Sequence, residues 1–284
     1  MIEVKGLGFT YPGADKPAVS DLDFSVEDGE IFGFLGPNGA GKSTTQKVLI
    51  GLLRDYGGKV GVLGREARSW SSDLYEQVGV GFELPVHFGR LTARENLSYF
   101  ASLYQGETED LDHLLGQVDL LEQADTRVER FSKGMRVRLS FARAILGRPR
   151  LLFLDEPTTG LDPLSARRVK DLILLHRDRG ATVFLTTHDM ATADEICDRV
   201  AFLVDGSLAL IDAPRDLKVR YGERRVRVEY RVDGKVEVRD FPLEGLAENA
   251  AFLSALGEPS LETVHTQETS LENIFIRVTG RELT

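Results

Sequence analysis

Gly36-Pro37-Asn38-Gly39-Ala40-Gly41-Lys42-Ser43-Thr44 follows the spacing G-x-x-x-x-G-K-[ST], the pattern of a loop that wraps backbone amides around phosphate. The preceding Ile31-Phe32-Gly33-Phe34-Leu35 predicts a buried strand, and an amphipathic helical pattern starts near Gly41. Glycines let N–H groups turn toward an anion, and the helix N-terminus adds its positive dipole end. Nucleotide phosphate is therefore the expected ligand, and strand, loop and helix together open an α/β domain.

A second apolar run, Leu151-Leu152-Phe153-Leu154, ends in Asp155-Glu156-Pro157. Carboxylates at the end of a buried strand are what a phosphate loop needs to hold magnesium and activate water. In that arrangement Ser43 and Asp155 are the expected pair of Mg2+ ligands, and Glu156 remains as base or water-positioner.

Between the two motifs the pattern turns helical. Thr92-Ala93-Arg94-Glu95 has the capping-box form, and Leu111 to Leu121 repeats apolar residues at helical spacing. A helical insertion is expected over about 84–148. A helix from about Leu164 to Arg179 stops at Gly180, and Ala181-Thr182-Val183-Phe184-Leu185 is a further buried strand, so the sheet is mainly parallel. Asp28-Gly29-Glu30 predicts a tight hairpin ahead of the loop, and Asp205-Gly206 a hairpin closing the domain near residue 222. Over 223–284 alternating Val226, Val228, Tyr230 and Val232, a turn at Asp233-Gly234, and Val236 and Val238 predict a strand pair. A helix near Leu246 to Leu256, a strand at Leu261 to Val264 and a helix capped at Thr269 complete a small α+β domain.

The chain has 284 residues, 42% of them hydrophobic and 28% charged, enough for a sizeable core. A net charge of -10 argues against a nucleic-acid surface spread over the protein, and no local basic patch stands out. The single cysteine, Cys197, cannot form an internal disulfide and fits a reducing compartment as a small half-buried residue. His87, His113, His176 and His265 show no ligand spacing. The sequence contains no apolar run of the roughly 18 residues that span a bilayer, so a membrane role is expected to go through a partner.

Phe131-Ser132-Lys133-Gly134-Met135 precedes a helix shortly upstream of the acidic strand, in the place of the LSGGQ signature of ATP-binding cassette proteins. With Thr158-Thr159-Gly160-Leu161-Asp162 and Thr186-Thr187-His188-Asp189, the chain over about 1–221 resembles the nucleotide-binding subunit of an ATP-binding cassette (ABC) transporter. The resemblance implies a phosphate-loop NTPase core, a RecA-like parallel sheet plus an antiparallel β subdomain, with ATP and Mg2+ as ligands. It implies Tyr11 stacked on adenine, and Gly36, Pro37, Asn38, Gly39, Ala40, Gly41, Lys42, Ser43 and Thr44 around the phosphates, Lys42 on the β and γ groups. It assigns His188 to the γ-phosphate, Asp162 to the subunit contact, and Ser132 and Gly134 to nucleotide held by the opposite subunit. The implied assembly is a homodimer or heterodimer of such subunits at the cytoplasmic face of the membrane, bound to a separate membrane-spanning permease.

Two departures stand out. Glu83 occupies the place of a usual glutamine that reaches the metal or its waters, and loses an N–H donor there. Lys133 and Met135 replace the usual glycine and glutamine, and the Lys133 side chain is expected in solvent. Glu83-Leu84-Pro85, Leu91 to Leu97 and the Ser-Lys-Gly-Met signature resemble the branch that pairs with ABC-2-type exporters, and Pro259-Ser260-Leu261 and Ser270 to Phe275 its accessory domain. The competing reading is a soluble cassette ATPase acting on ribosomes, DNA or protein complexes. It is disfavoured by the single compact cassette without heptad arm or basic extension. A regulator without turnover is opposed by Glu156 and His188.

Overall fold

The computed structural model describes residues 1–82, 86–222, 225–232, 234–267 and 269–281. In chain order the first unit runs β1 (Ile2–Phe9), β2 (Val19–Val26), β3 (Ile31–Leu35), α1 (Lys42–Leu49), β4 (Gly57–Val62), β5 (Arg65–Glu66) and β6 (Val78–Gly81). The helical insertion follows as α2 (Ala93–Ala101), α3 (Leu111–Gln117) and α4 (Lys133–Ile145). Then come β7 (Leu151–Asp155), α5 (Pro163–Asp178), β8 (Thr182–Thr187), α6 (Met190–Ile196), β9 (Arg199–Val204) and β10 (Ser207–Asp212). A six-stranded sheet has the order β10-β9-β3-β8-β7-β6, parallel except for the β9–β10 hairpin, and an antiparallel sheet has the order β2-β1-β4-β5.

All five residues of β3 are buried, as befits a central parallel strand covered on both faces. Phe32 and Phe34 face the antiparallel sheet, where Phe24 stacks at 5.8 Å from Phe32 and lies 5.4 Å from Phe34, while Phe184 of the neighbouring β8 lies 5.4 Å from Phe34. Burying each such ring contributes about 1.5–3 kcal/mol, so this seam between the sheets fixes the strand that leads into the phosphate loop. The opposite face of β3 is tight: a Cβ on Gly33 would stand 2.8 Å from Cys197 Sγ. Cys197 is buried just past the end of α6, and burial pushes its thiol pKa up.

The turn at Asp28-Gly29-Glu30 is not a hairpin. β2 pairs with β1 in the antiparallel sheet, whereas β3 pairs with β8 and β9. Gly29 N–H donates to Thr182 Oγ1 at 2.8 Å, and Glu30 accepts from Glu27 N–H and Arg199, so the turn hands the chain from one sheet to the other. A strand apolar on both faces is stabilised more by two parallel neighbours than by one antiparallel partner with a solvated side.

The second unit is Pro214–Arg281, and it begins with α7 (Pro214–Tyr221), a segment that the sequence reading places within the first domain, 1–222. β11 (Arg225–Val232) lies between β12 (Lys235–Pro242) and β13 (Leu261–Gln267), followed by α8 (Ala250–Leu256) and α9 (Leu271–Thr279) in chain order around β13. Val226, Val228, Tyr230, Phe241, Phe252 and Ala255 form its core. The predicted turn at Asp233-Gly234 joins Val232 to Lys235, with Asp233 outside the described residues. α9 is capped by Ser270 rather than Thr269: Ser270 Oγ accepts from Asn273 N–H at 3.2 Å, one residue later than the Thr-to-Glu272 spacing suggests. Gly280 stops it in the left-handed region, as expected.

Candidate nucleotide site

The loop between β3 and α1 needs two of its glycines for space as well as shape. A Cβ on Gly36 would stand 2.2 Å from Leu203 O, and one on Gly41, at φ +108°, 2.6 Å from Ala18 O. The backbone amides at the start of α1 stand at a helix N-terminus, whose dipole favours anions. Lys42 is 6% exposed and its ammonium donates to Gly36 O at 2.7 Å and Pro37 O at 3.2 Å. Loop and lysine thus fold around one point.

That point is where β7 and β8 end. Asp155 accepts from Ser43 Oγ at 3.4 Å and from Thr186 Oγ1. Glu156, 8% exposed, has Oε1 3.7 Å from Lys42 Nζ and 2.8 Å from His188 Nδ1. Its Oε2 accepts from Thr159 Oγ1 at 2.9 Å and Thr187 Oγ1 at 3.0 Å. Four partners fix one carboxylate, and its backbone sits at φ +48°, a conformation uncommon for a non-glycine residue and frequent at functional sites. A carboxylate so oriented beside a lysine and a histidine can accept a proton from water. Sequence reasoning assigned Glu156 and His188 but missed the orienting hydroxyls of Thr159, Thr186 and Thr187. Their signal was the threonines flanking each acidic or histidine motif.

Tyr11 stands beside this site. Its hydroxyl is 3.2 Å from Thr44 Oγ1 and its ring packs edge-on against Phe9, with 37% of the residue exposed. Ser43 and Asp155 are hard oxygen donors on converging elements, a set that suits Mg2+, which is commonly held by one or two protein oxygens plus phosphate and water. The third expected metal ligand, Glu83, lies outside the described residues.

Ser132, Gly134 and Asp162 form a second grouping. Ser132 caps α4, its Oγ accepting from Met135 N–H at 3.2 Å, and Asp162 caps α5, its Oδ1 accepting from Ser165 N–H at 3.0 Å. Hydrogen bonds from Ser165, side chain and backbone, hold the Asp162 carboxyl below its usual pKa. A Cβ on Gly134 would lie 2.8 Å from Ser165 Oγ, so the glycine lets the two helix starts meet. Lys133 is exposed, as expected, yet its ammonium rests against Gly160, where a Cβ would be only 2.1 Å away. The segment Thr158 to Asp162 therefore touches Glu156 at one end and the signature at the other.

The ABC transporter family model matches residues 19–159, and a model described as the fluoroquinolone efflux ABC transporter C-terminal domain matches residues 224–268. A fluoroquinolones export ATP-binding protein of Mycobacterium tuberculosis is 56% identical over 285 residues, covering 100% of this chain and 95% of that protein. A Nod factor export ATP-binding protein of Neorhizobium galegae is 36% identical, covering 95% of this chain and 82% of that protein. The solved structure of an ABC transporter ATP-binding subunit superposes with a TM-score of 0.69 at 30% identity, over 78% of this chain and 93% of that one. A cassette in a post-hydrolysis state bound to ADP and Pi shares the fold, with a TM-score of 0.68 at 24% identity over 75% of this chain. Phosphate loop, oriented glutamate, signature helix and these likenesses coincide along one chain, which belongs to the ATP-binding subunits of ABC transporters and is an ATPase of that type.

Proposed function

We propose that this chain is the motor of an ABC-2-type drug exporter, with fluoroquinolone-like compounds as the cargo class, working as a head-to-tail pair of ATPase subunits. The supporting observation is the division of the site into two groupings. Lys42, Asp155, Glu156 and His188 converge on the phosphate loop, while Ser132, Gly134 and Asp162 gather at the starts of α4 and α5. Each nucleotide then lies between one chain's loop and the other chain's Ser132 and Gly134. The cargo class comes from the relative named for fluoroquinolone export.

In the reaction, loop amides and Lys42 hold the β and γ phosphates. Glu156 takes a proton from the attacking water as the bond between γ-phosphorus and the bridging oxygen breaks, releasing ADP and phosphate. His188 holds Glu156 through Nδ1 and offers its other ring nitrogen to the γ-phosphate. Ser43 and Asp155, with Glu83 as a further candidate, would hold Mg2+, which would supply charge neutralisation at the phosphates. Tyr11 gives adenine a stacking face.

Among the described residues no helix is long and apolar enough to cross a membrane. The motor works from the cytoplasmic side, attached to a permease subunit, a reading supported by the relatives named as ATP-binding proteins of exporters. The docking place is an apolar groove of about 790 Å³ between the sheet and the helical insertion, lined by Val80, Phe82, Phe88, Phe100 and Leu103.

Mixing Ser132→Arg chains with Lys42→Ala chains tests the shared site. Each variant alone is expected to be nearly inactive, and the mixture to regain part of the ATPase activity, because heterodimers contain one intact site. No regain on mixing would mean that each chain completes its site alone. For the cargo, cells with the chain and its permease should accumulate less fluoroquinolone than cells with Glu156→Gln; equal accumulation removes that assignment.

A further inference from the structure

β7 and β8 reach the nucleotide site with their C-terminal ends. Before their N-terminal ends, the length of a five-residue strand or about 16 Å away, lies a cavity of about 300 Å³. Three stretches far apart in the chain build it: Glu109 to Gln117, Ile145 to Arg150, and His176 to Ala181. Arg148, Arg150 and Gly180 are exposed, so it opens to solvent.

Its polar lining is out of balance. Glu109 and Arg148 neutralise each other, with Oε1 2.9 Å from Nε and Oε2 3.3 Å from Nη2. Arg150 and Arg179 remain, and among the described residues their guanidinium groups have no carboxylate or carbonyl partner, so the wall carries excess positive charge. Two further lining residues hold buried polar atoms without a hydrogen bond. Gln117 Nε2 lies 2.7 Å from His113 Nε2, which leaves Gln117 Oε1 without a donor. The His176 ring stands edge-on to Phe141 at 5.6 Å, and its buried Nε2 has no partner either. Burial, with Arg179 nearby, lowers the His176 pKa to about 4, so the ring is neutral and Nε2 can carry its one proton. A buried polar atom left unpaired costs about 1–3 kcal/mol. Two of them beside one cavity, with two unpaired cations, call for a ligand that brings both an anion and a hydrogen-bond donor.

We infer that this cavity is a second anion site, separate from the nucleotide site, for a phosphate group accompanied by a hydroxyl: hydrogen phosphate or a small hydroxylated phosphate monoester. The phosphate oxygens accept from Arg179, Arg150 and His176 Nε2, and the hydroxyl donates to Gln117 Oε1. A ligand held this way ties α3 of the helical insertion to the end of α5.

The test titrates the full chain by calorimetry with its phosphate loop already filled by Mg2+ and a non-hydrolysable ATP analogue, so that added phosphate does not report on the loop. Inorganic phosphate and glycerol 3-phosphate are the probes, and sulfate is the anion without a hydroxyl. At least one probe should bind saturably at one per chain, the tighter of the two identifying free ion or monoester as the source. Sulfate should bind about tenfold more weakly, because it leaves Gln117 Oε1 unpaired. Arg179→Gln, at an exposed position, should weaken phosphate about tenfold. Gln117→Leu should weaken phosphate and leave sulfate unchanged, and Arg127→Gln, outside the cavity, should change neither. Retained binding of the ATP analogue shows that each variant is folded. Absence of saturable binding, sulfate binding as tightly as phosphate, or a phosphate affinity that Arg179→Gln or Gln117→Leu leaves unmoved overturns the assignment.

Discussion

Glu156 concentrates what is unusual at the scale of single residues. Its four side-chain partners and its φ of +48° define one orientation. Thr159→Val removes one hydrogen bond to Oε2, so kcat should fall about fivefold, the equivalent of about 1 kcal/mol, with ATP affinity retained; a matching loss of affinity in a binding titration would contradict an orienting role. The backbone strain predicts a second result: both Glu156→Ala and Glu156→Gly lose the carboxylate contacts, but only alanine keeps the Cβ at positive φ. The glycine variant should therefore be the more stable by about 1 kcal/mol in denaturant unfolding. Gly36 to Thr44 and Asp155-Glu156 were legible because their chemistry demands contiguous residues at fixed spacing. The hydroxyls of Thr186 and Thr187 were not, because they meet their carboxylates across neighbouring strands, and a one-dimensional pattern carries no strand neighbours.

Helices announced themselves where their ends use local chemistry. The capping box at Thr92 is present, with Thr92 Oγ1 accepting from Glu95 N–H at 3.1 Å and Glu95 returning a bond to Thr92 N–H at 2.8 Å. Thr92→Ala should lower stability by about 1 kcal/mol, read as a lower denaturant midpoint. The turn at Asp28-Gly29-Glu30 was misread because Asp-Gly encodes a tight reversal without saying whether the next strand rejoins the same sheet. α5 holds a pH dependence: burial, with Arg179 nearby, pushes the His176 pKa down to about 4 from 6.5. The unfolded chain then takes up a proton that the folded one resists, so this contribution is present above about pH 6.5 and is lost as pH falls toward about 4. Over that window the thermal midpoint of His176→Gln should fall less than that of the native chain; parallel curves would show that His176 does not titrate in this way.

The whole molecule divides into Met1–Ala213 and Pro214–Arg281, each with its own buried cluster. A chain truncated after Ala213 should still unfold cooperatively and be stabilised by ATP; loss of the nucleotide-induced shift in thermal unfolding would make the second unit part of the binding machinery. Alternation of apolar strands and amphipathic helices made the α/β class legible, but the strand order was not, since period and spacing do not say which strands become neighbours. That order governs how the site comes into being. β3, which delivers the phosphate loop, has no partner close to it in the chain: Ile31 pairs with Val183 and Phe32 with Arg199. Such long loops are entropically slow to close. On the ribosome, where synthesis proceeds at about 5–20 residues per second, the phosphate loop is made early but cannot be held in place until β8 and β9 emerge. An interrupted product ending before Thr182 leaves the five apolar residues of Ile31–Leu35 without either neighbour, a ready substrate for chaperones and proteases.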